Sequence, residues 1–287
     1  MSSKKIASGG RFGGVAALLC LAFLVMPFGV AEAHLPVAEP DKFTVSSGEA
    51  VNIAAGLAEP LIEFAYSPEN LLALGYAGNF AELTGNILYA DGSAKEISFS
   101  PSDEAKPGES TFSKAVVPIE KTGTSVISMK FDFNSGTRPT VAYGKTLVNW
   151  AKDGVSTKRA GGDDVLEIVQ AEDTGPLSAG DGIAVKVFLR GRELPGATAS
   201  ATYKGAPLPD PDEAEEGEES NNEYLHKDTD ASGLVAFNLD RPGTWVVAME
   251  YVDEAAPKNK REYDEGGGYE EWKGIRYRAS LVFEVAE

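Results

Sequence analysis

Apolar residues at every second position, cut into short runs by glycine, proline, asparagine and aspartate, leave this chain little choice but to build sheets. Ile127, Met129, Phe131 and Phe133 alternate with Ser128, Lys130 and Asp132. Successive strand side chains point to opposite sides of the pleat, so such a run buries one face and wets the other. Ile87 and Tyr89 run into Asp91-Gly92, and Ile97 and Phe99 leave it; Asp-Gly between alternating runs is a hairpin signal, because both central residues tolerate positive φ. Further on, Ile183, Val185, Val187 and Leu189 share a face, Gly191-Arg192 is expected to turn the chain, and Ala197–Tyr203 returns. Leu166–Val169, Leu234–Leu239, Thr244–Tyr251 and Arg276–Val285 complete six or seven strands in roughly 120 residues, the count of a β-sandwich. Only Pro68–Leu83 reads as a short helix, through Leu71, Leu72 and Leu74.

The expected fold is therefore all-β, with two β-sandwich domains. The Gly- and charge-rich stretch Lys152–Asp164 marks the junction, giving an N-terminal domain over 34–160 and a C-terminal domain over 161–287. Within the latter, 207–222 holds Asp210, Asp212, Glu213, Glu215, Glu216, Glu218 and Glu219 with almost no apolar residue. It is read as an acidic loop that cannot pack.

Residues 1–33 read as a signal peptide: Lys4, Lys5 and Arg11, an apolar run from Val15 to Val30, then Ala31-Glu32-Ala33. Cleavage after Ala33 implies export, and the expected location is the periplasm. No later stretch approaches the roughly 18 apolar residues of a membrane-spanning helix, so the mature chain is expected to be soluble. The single cysteine, Cys20, lies in the leader behind Leu18-Leu19, which is not a lipid-attachment pattern. Its removal leaves no disulfide, cysteine nucleophile or thiolate metal site. The formal net charge is −18, and losing a leader with three basic residues makes the chain more acidic still. Such a surface repels phosphate, so neither nucleic acid nor anionic lipid is an expected partner.

Two histidines limit the chemistry further. His34 becomes the first residue after cleavage, and its α-amine and imidazole together form a chelate. Unperturbed pKa values near ~7.7 and ~6.5 let both bind metal around neutral pH. Nitrogen donors suit Ni(II), Cu(II), Co(II) or Zn(II) better than Mg(II) or Ca(II). His226, followed by Asp228 and Asp230, offers secondary ligands. Asp228–Gly233 resembles the start of a calcium loop, but the twelfth position is Leu239 where an EF-hand has glutamate, so a tight turn is expected there. Two histidines, one of them terminal, leave almost no room for a serine triad, and no G-x-S-x-G, phosphate-cradling or dinucleotide glycine motif is present. Paired carboxylates for glycoside cleavage stay open, since only their separation identifies them. Tyr263, Tyr269 and Trp272 are candidates for a sugar platform.

The ordered runs Leu166-Glu167-Ile168-Val169, Leu177-Ser178-Ala179-Gly180-Asp181, Leu194-Pro195-Gly196-Ala197, Thr229-Asp230-Ala231-Ser232-Gly233 and Leu239-Asp240-Arg241-Pro242-Gly243-Thr244-Trp245 resemble an uncharacterised-domain envelope protein family associated with nickel and cobalt uptake systems. Ala33-His34, Gly56-Leu57-Ala58-Glu59-Pro60 and Tyr143-Gly144-Lys145-Thr146-Leu147-Val148 extend the resemblance over the first half. It implies a transthyretin-like or carboxypeptidase-regulatory-like second sandwich and a periplasmic component of a Ni/Co transporter. Leucine and proline after His34, where an apolar-aromatic stretch is commoner, and the acidic insertion depart from the family pattern. The functional expectation is a non-enzymatic accessory that binds Ni(II) or Co(II) through His34, His226, Asp228 and Asp230. It would serve a membrane metal permease or energy-coupling transporter components, with no organic cofactor. The alternative is a non-catalytic adhesion or carbohydrate-binding β-sandwich of the cell envelope.

Overall fold

A computed structural model of the chain describes residues 35–59, 63–66, 83–101, 113–134, 139–153, 157, 164–206, 225–255 and 274–287. Strands dominate these residues, and they form three sheets. The first contains β1 (Leu35–Pro40), β2 (Ala50–Glu59), β7 (Ser113–Pro118) and β6 (Ser100–Pro101), with β3 (Glu63–Tyr66) beside β2. The second runs β15 (Leu225–Asp228), β14 (Thr198–Tyr203), β17 (Gly243–Asp253), β18 (Ile275–Ala286), β9 (Pro139–Val148), β8 (Ser125–Asn134), β4 (Thr84–Tyr89), β5 (Ala94–Ser98), and β11 (Leu177–Ser178) pairs with β18. The third holds β10 (Leu166–Gln170), β12 (Gly182–Leu189), β13 (Arg192–Glu193) and β16 (Leu234–Asn238). The protein is all-β and sandwich-built; among the described residues no helix is long and apolar enough to cross a membrane. The helix expected over Pro68–Leu83 falls, except for Leu83, outside the described residues.

The second sheet passes through the junction expected near residue 160. Arg276–Val282 of β18 pair in parallel with Thr140–Thr146 of β9, so strands from both halves of the chain share one sheet. Alternation then gives that sheet two apolar faces. Ile127, Met129 and Phe131 on β8 pack with Val51, Ile53, Ala115 and Val117 of the first sheet. On the opposite face, Tyr143, Leu147, Trp245, Val247, Leu281 and Phe283 pack with Leu166, Ile168, Val185, Val187 and Phe237 of the third. Leu35 and Val37 of β1 lie on Val246, Ala248 and Val282, and the Ser280 hydroxyl donates to the Pro36 carbonyl.

Two turns differ from expectation. Asp91-Gly92 belongs to a three-residue loop in which the Tyr89 N–H donates to the Ser93 carbonyl at 2.9 Å. Only Gly92 takes positive φ, at 81°. Asp91 keeps an ordinary backbone because its carboxylate accepts from the Ser93 amide at 2.9 Å and its hydroxyl at 2.5 Å, closing the turn through the side chain. The turn after β12 is Arg190-Gly191, one residue earlier than read, with φ of 50° and 73°. Arg190 tolerates that conformation while its guanidinium is held at 2.5 Å by the carboxylate of Asp253.

Candidate functional site: an outer cleft and a buried ionic cluster

His34 lies outside the described residues, as do the acidic loop 207–222 and Tyr263, Tyr269 and Trp272. His226 is exposed on β15, opposite Ser200 of β14. Asp228 is exposed on the same strand, opposite Thr198, whose hydroxyl donates to it at 2.7 Å. Asp230 closes the turn before β16: its Oδ1 accepts from the Ser232 amide at 2.7 Å, the Ser232 hydroxyl at 2.8 Å and the Leu234 amide at 3.0 Å. Donation from the Leu234 and Ser232 groups holds that carboxyl below its usual range. Among the described residues no three His, Cys, Asp or Glu side chains converge as a metal group.

A cleft of about 490 Å³ opens on the outer face of the first sheet. Strand register builds its floor: Glu39 of β1 stands opposite Ala54 of β2, Ala54 opposite Lys114 of β7, and Lys114 opposite Ser100 of β6. A second row runs from Asp41 through Asn52 to Val116. Alternation that buries Val51, Ile53 and Ala55 turns Asn52 and Ala54 outward. Lys204, just after β14, closes one wall and reaches Glu39 at 2.5 Å. Asn52 donates to Asp41 through its amide side chain at 2.7 Å and its backbone N–H at 2.9 Å. Partial burial works to raise the Asp41 carboxyl, but these donors outweigh it and the carboxyl is held low. Val116 is 69 % exposed at the cleft. Sequence reasoning missed this site, because its residues are the outward positions of four separate strands and share no local motif.

A second polar cluster is buried where a side chain of β9 in the second sheet meets one of β10 in the third. Lys145 of β9 occupies an inward position between Tyr143 and Leu147. Its Nζ donates to the Thr157 carbonyl at 3.1 Å and to Glu167 Oε1 of β10 at 3.2 Å, and lies 3.4 Å from Asp164 Oδ2. The three side chains are 3 %, 6 % and 7 % exposed for Lys145, Glu167 and Asp164. Burial, reinforced by the Glu167 charge and opposed by Lys145, pushes the Asp164 carboxyl up to about 6. Burial likewise pushes the Tyr143 hydroxyl well above its ordinary range, against a hydrogen bond from the Val165 backbone.

A family model described as a domain of unknown function, DUF4198, matches residues 31–253. The resemblance to an uncharacterised domain family thus holds, while nothing in the match ties the chain to nickel or cobalt transport. No curated protein matches. Among solved structures, the D0-D1 domain of intimin is similar at 16 % identity over 86 % of this chain and 96 % of that one, with a TM-score of 0.21. A DUF4785 family protein from Legionella pneumophila subsp. pneumophila str. Philadelphia 1 is 11 % identical over 73 % of this chain and 50 % of that one, with a TM-score of 0.27. The type II cohesin dyad from the adaptor ScaA scaffoldin of Acetivibrio cellulolyticus is 13 % identical over 88 % and 98 %, with a TM-score of 0.23. Overlaps this loose carry no functional argument.

Proposed function

The chain belongs to the DUF4198 family, a domain of unknown function, and from that premise we propose that it is an exported, non-catalytic binding protein of the cell envelope whose cleft takes a hydroxyl-rich saccharide. The observation that carries this reading is the mixture of groups on the cleft floor. Glu39 and Asp41 accept, Lys114 and Lys204 donate, and Asn52, Ser98 and Ser100 do both. A sugar hydroxyl also donates and accepts at once, and charged partners make such bonds stronger. Ala54 and Val116 supply a small apolar surface for the C–H face of a sugar ring. The leader-like residues 1–33 support export, and the reading requires no reaction step.

The test is a glycan array probed with the mature chain, followed by calorimetry on the best binder with Asp41→Ala and Lys114→Ala variants. Loss of a charge-assisted hydrogen bond costs about 1.5–3 kcal/mol, so each variant is expected to weaken binding roughly 10- to 100-fold. An array with no bound glycan, or binding indifferent to both changes, would defeat the saccharide reading.

Where β1 starts supports a second reading. Leu35 is 6 % exposed and pairs with Ala58, so cleavage after Ala33 would make His34 the residue that precedes an anchored strand. In this reading His34 chelates Ni(II) or Co(II) through its amine and imidazole and passes the ion to a membrane permease. Calorimetric titration with both ions is expected to show binding that disappears when one extra residue precedes His34. Binding that survives the extension, or none in either protein, removes the terminal chelate.

A further inference from the structure

We propose that Lys145 and Asp164 condense to an intramolecular isopeptide bond, with Glu167 as the proton carrier. The three groups are already gathered: Glu167 Oε1 is 3.2 Å and Asp164 Oδ2 3.4 Å from Lys145 Nζ. The Thr157 carbonyl, 3.1 Å from Nζ, fixes the direction of the amine. Tyr143 and Leu147, two positions either side of Lys145, and Leu166 and Ile168, next to Glu167, are buried in one apolar cluster, and the three ionic side chains are themselves at most 7 % exposed. Holding a nucleophile against a carboxyl group in a fixed geometry replaces a bimolecular encounter with a unimolecular step, and an apolar enclosure excludes the water that opposes condensation.

The division of roles follows from the surroundings. Glu167 accepts a hydrogen bond from Nζ, which suits the base. Asp164 carries the raised pKa, about 6, so its carboxylate readily takes the first proton that Glu167 delivers, and the protonated carboxyl is the better electrophile. In the reaction the Nζ–Cγ bond forms and one Asp164 Cγ–O bond breaks. The ammonium gives up two of its three protons, both of which leave on the departing oxygen as water. Glu167 ferries them and ends as the carboxylate it began, so the net charge of the cluster is unchanged. No oxidant, reductant or added cofactor enters. The product ties β9 of the second sheet to the residue leading into β10 of the third, across the Lys152–Asp164 junction. This assignment also gives a use to two sequence runs that the cleft leaves unexplained, Tyr143–Val148 and Leu166–Val169.

Tandem mass spectrometry of tryptic digests of the full chain tests the proposal without requiring any variant to fold. The expected result is a branched peptide, one water lighter than its two parts, joining the segments that hold Lys145 and Asp164, with no trypsin cleavage after Lys145. Glu167→Gln is expected to abolish the branched peptide. Linear peptides cut after Lys145 in the unaltered chain would overturn the bond, and a branch mapped to Glu167 would overturn the assignment of Asp164. An undiminished branch in Glu167→Gln would overturn the proton-carrier role.

Discussion

Lys145→Met is expected to lower the unfolding free energy by about 3–5 kcal/mol, the usual penalty for removing one partner of a buried ionic group. Methionine fills nearly the same volume, so the loss does not come from a cavity. It leaves Asp164 and Glu167, 7 % and 6 % exposed, without the ammonium that lies against both. An isopeptide bond through Lys145 would be lost as well, and with it a covalent closure that restricts the unfolded chain. Urea unfolding followed by circular dichroism reads the change as a lower midpoint at unaltered slope. The deficit should also depend on pH in a fixed direction. While the two side chains are unjoined, the Asp164 carboxyl sits at about 6, above the ordinary 3.8, and Lys145 is a cause that lowers it. Removing Lys145 raises it further, so the folded variant binds a proton that the unfolded chain has released at the same pH. The variant is then relatively more stable in acid, and the deficit grows as pH rises through 6 toward 7. Combining Lys145→Met with Asp164→Asn and Glu167→Met removes the stranded charges and should recover the electrostatic part of the loss, while the part owed to the covalent closure stays lost. A single variant costing under about 1 kcal/mol, or a triple variant no better than the single, would show that the cluster does not work this way.

That cluster was half legible in the sequence. Period-two alternation places Lys145 on the inward row between Tyr143 and Leu147, so a charge in the core could be seen without coordinates. Its partners could not, because Asp164 and Glu167 follow a Gly-rich linker with no periodic signal across it. Alternation similarly identified the buried faces of Ile127–Phe131 and Ile183–Val187 and hence the all-β class. It says which side a residue faces and nothing about which strand lies next to it. The parallel pairing of β9 with β18, more than a hundred positions apart in sequence, was invisible for that reason. The cleft was hidden in the same way: Glu39, Asn52, Lys114 and Ser100 each look like ordinary solvent-facing positions until register aligns them. The Asp91-Gly92 signal located its turn correctly and failed only on type, which depended on the side-chain bond from Ser93.

The other large effect is expected at Trp245, whose indole is 2 % exposed. Truncating a buried tryptophan to alanine costs about 3–5 kcal/mol through lost transfer energy and the cavity left behind. Here two further contacts go with it. The indole N–H donates to the Arg241 carbonyl at 3.0 Å, and the ring lies 5.5 Å from that of Tyr203 at 51°, an arrangement worth about 0.5–1.5 kcal/mol beyond area. Arg241 stacks 4.2 Å over Tyr203 and donates to its hydroxyl at 2.6 Å, so Trp245, Tyr203 and Arg241 brace one another. The brace ends beside the cleft: Lys204 follows Tyr203, donates its backbone N–H to Thr244 at 2.8 Å, and reaches Glu39 across the wall. Trp245→Ala should therefore show a stability loss at the upper end of that range, together with weaker binding of the saccharide proposed for the cleft. Trp245→Phe keeps most of the apolar volume and forfeits mainly the indole bond, so a loss of about 1–2 kcal/mol is expected. Thermal and urea unfolding of both variants separate the terms. Equal losses in the two would mean that the indole hydrogen bond, not ring burial, sets the stability of this corner. A loss under about 1.5 kcal/mol in Trp245→Ala would mean that the surrounding sheets collapse onto the vacated space, as they do where a core site is free to relax.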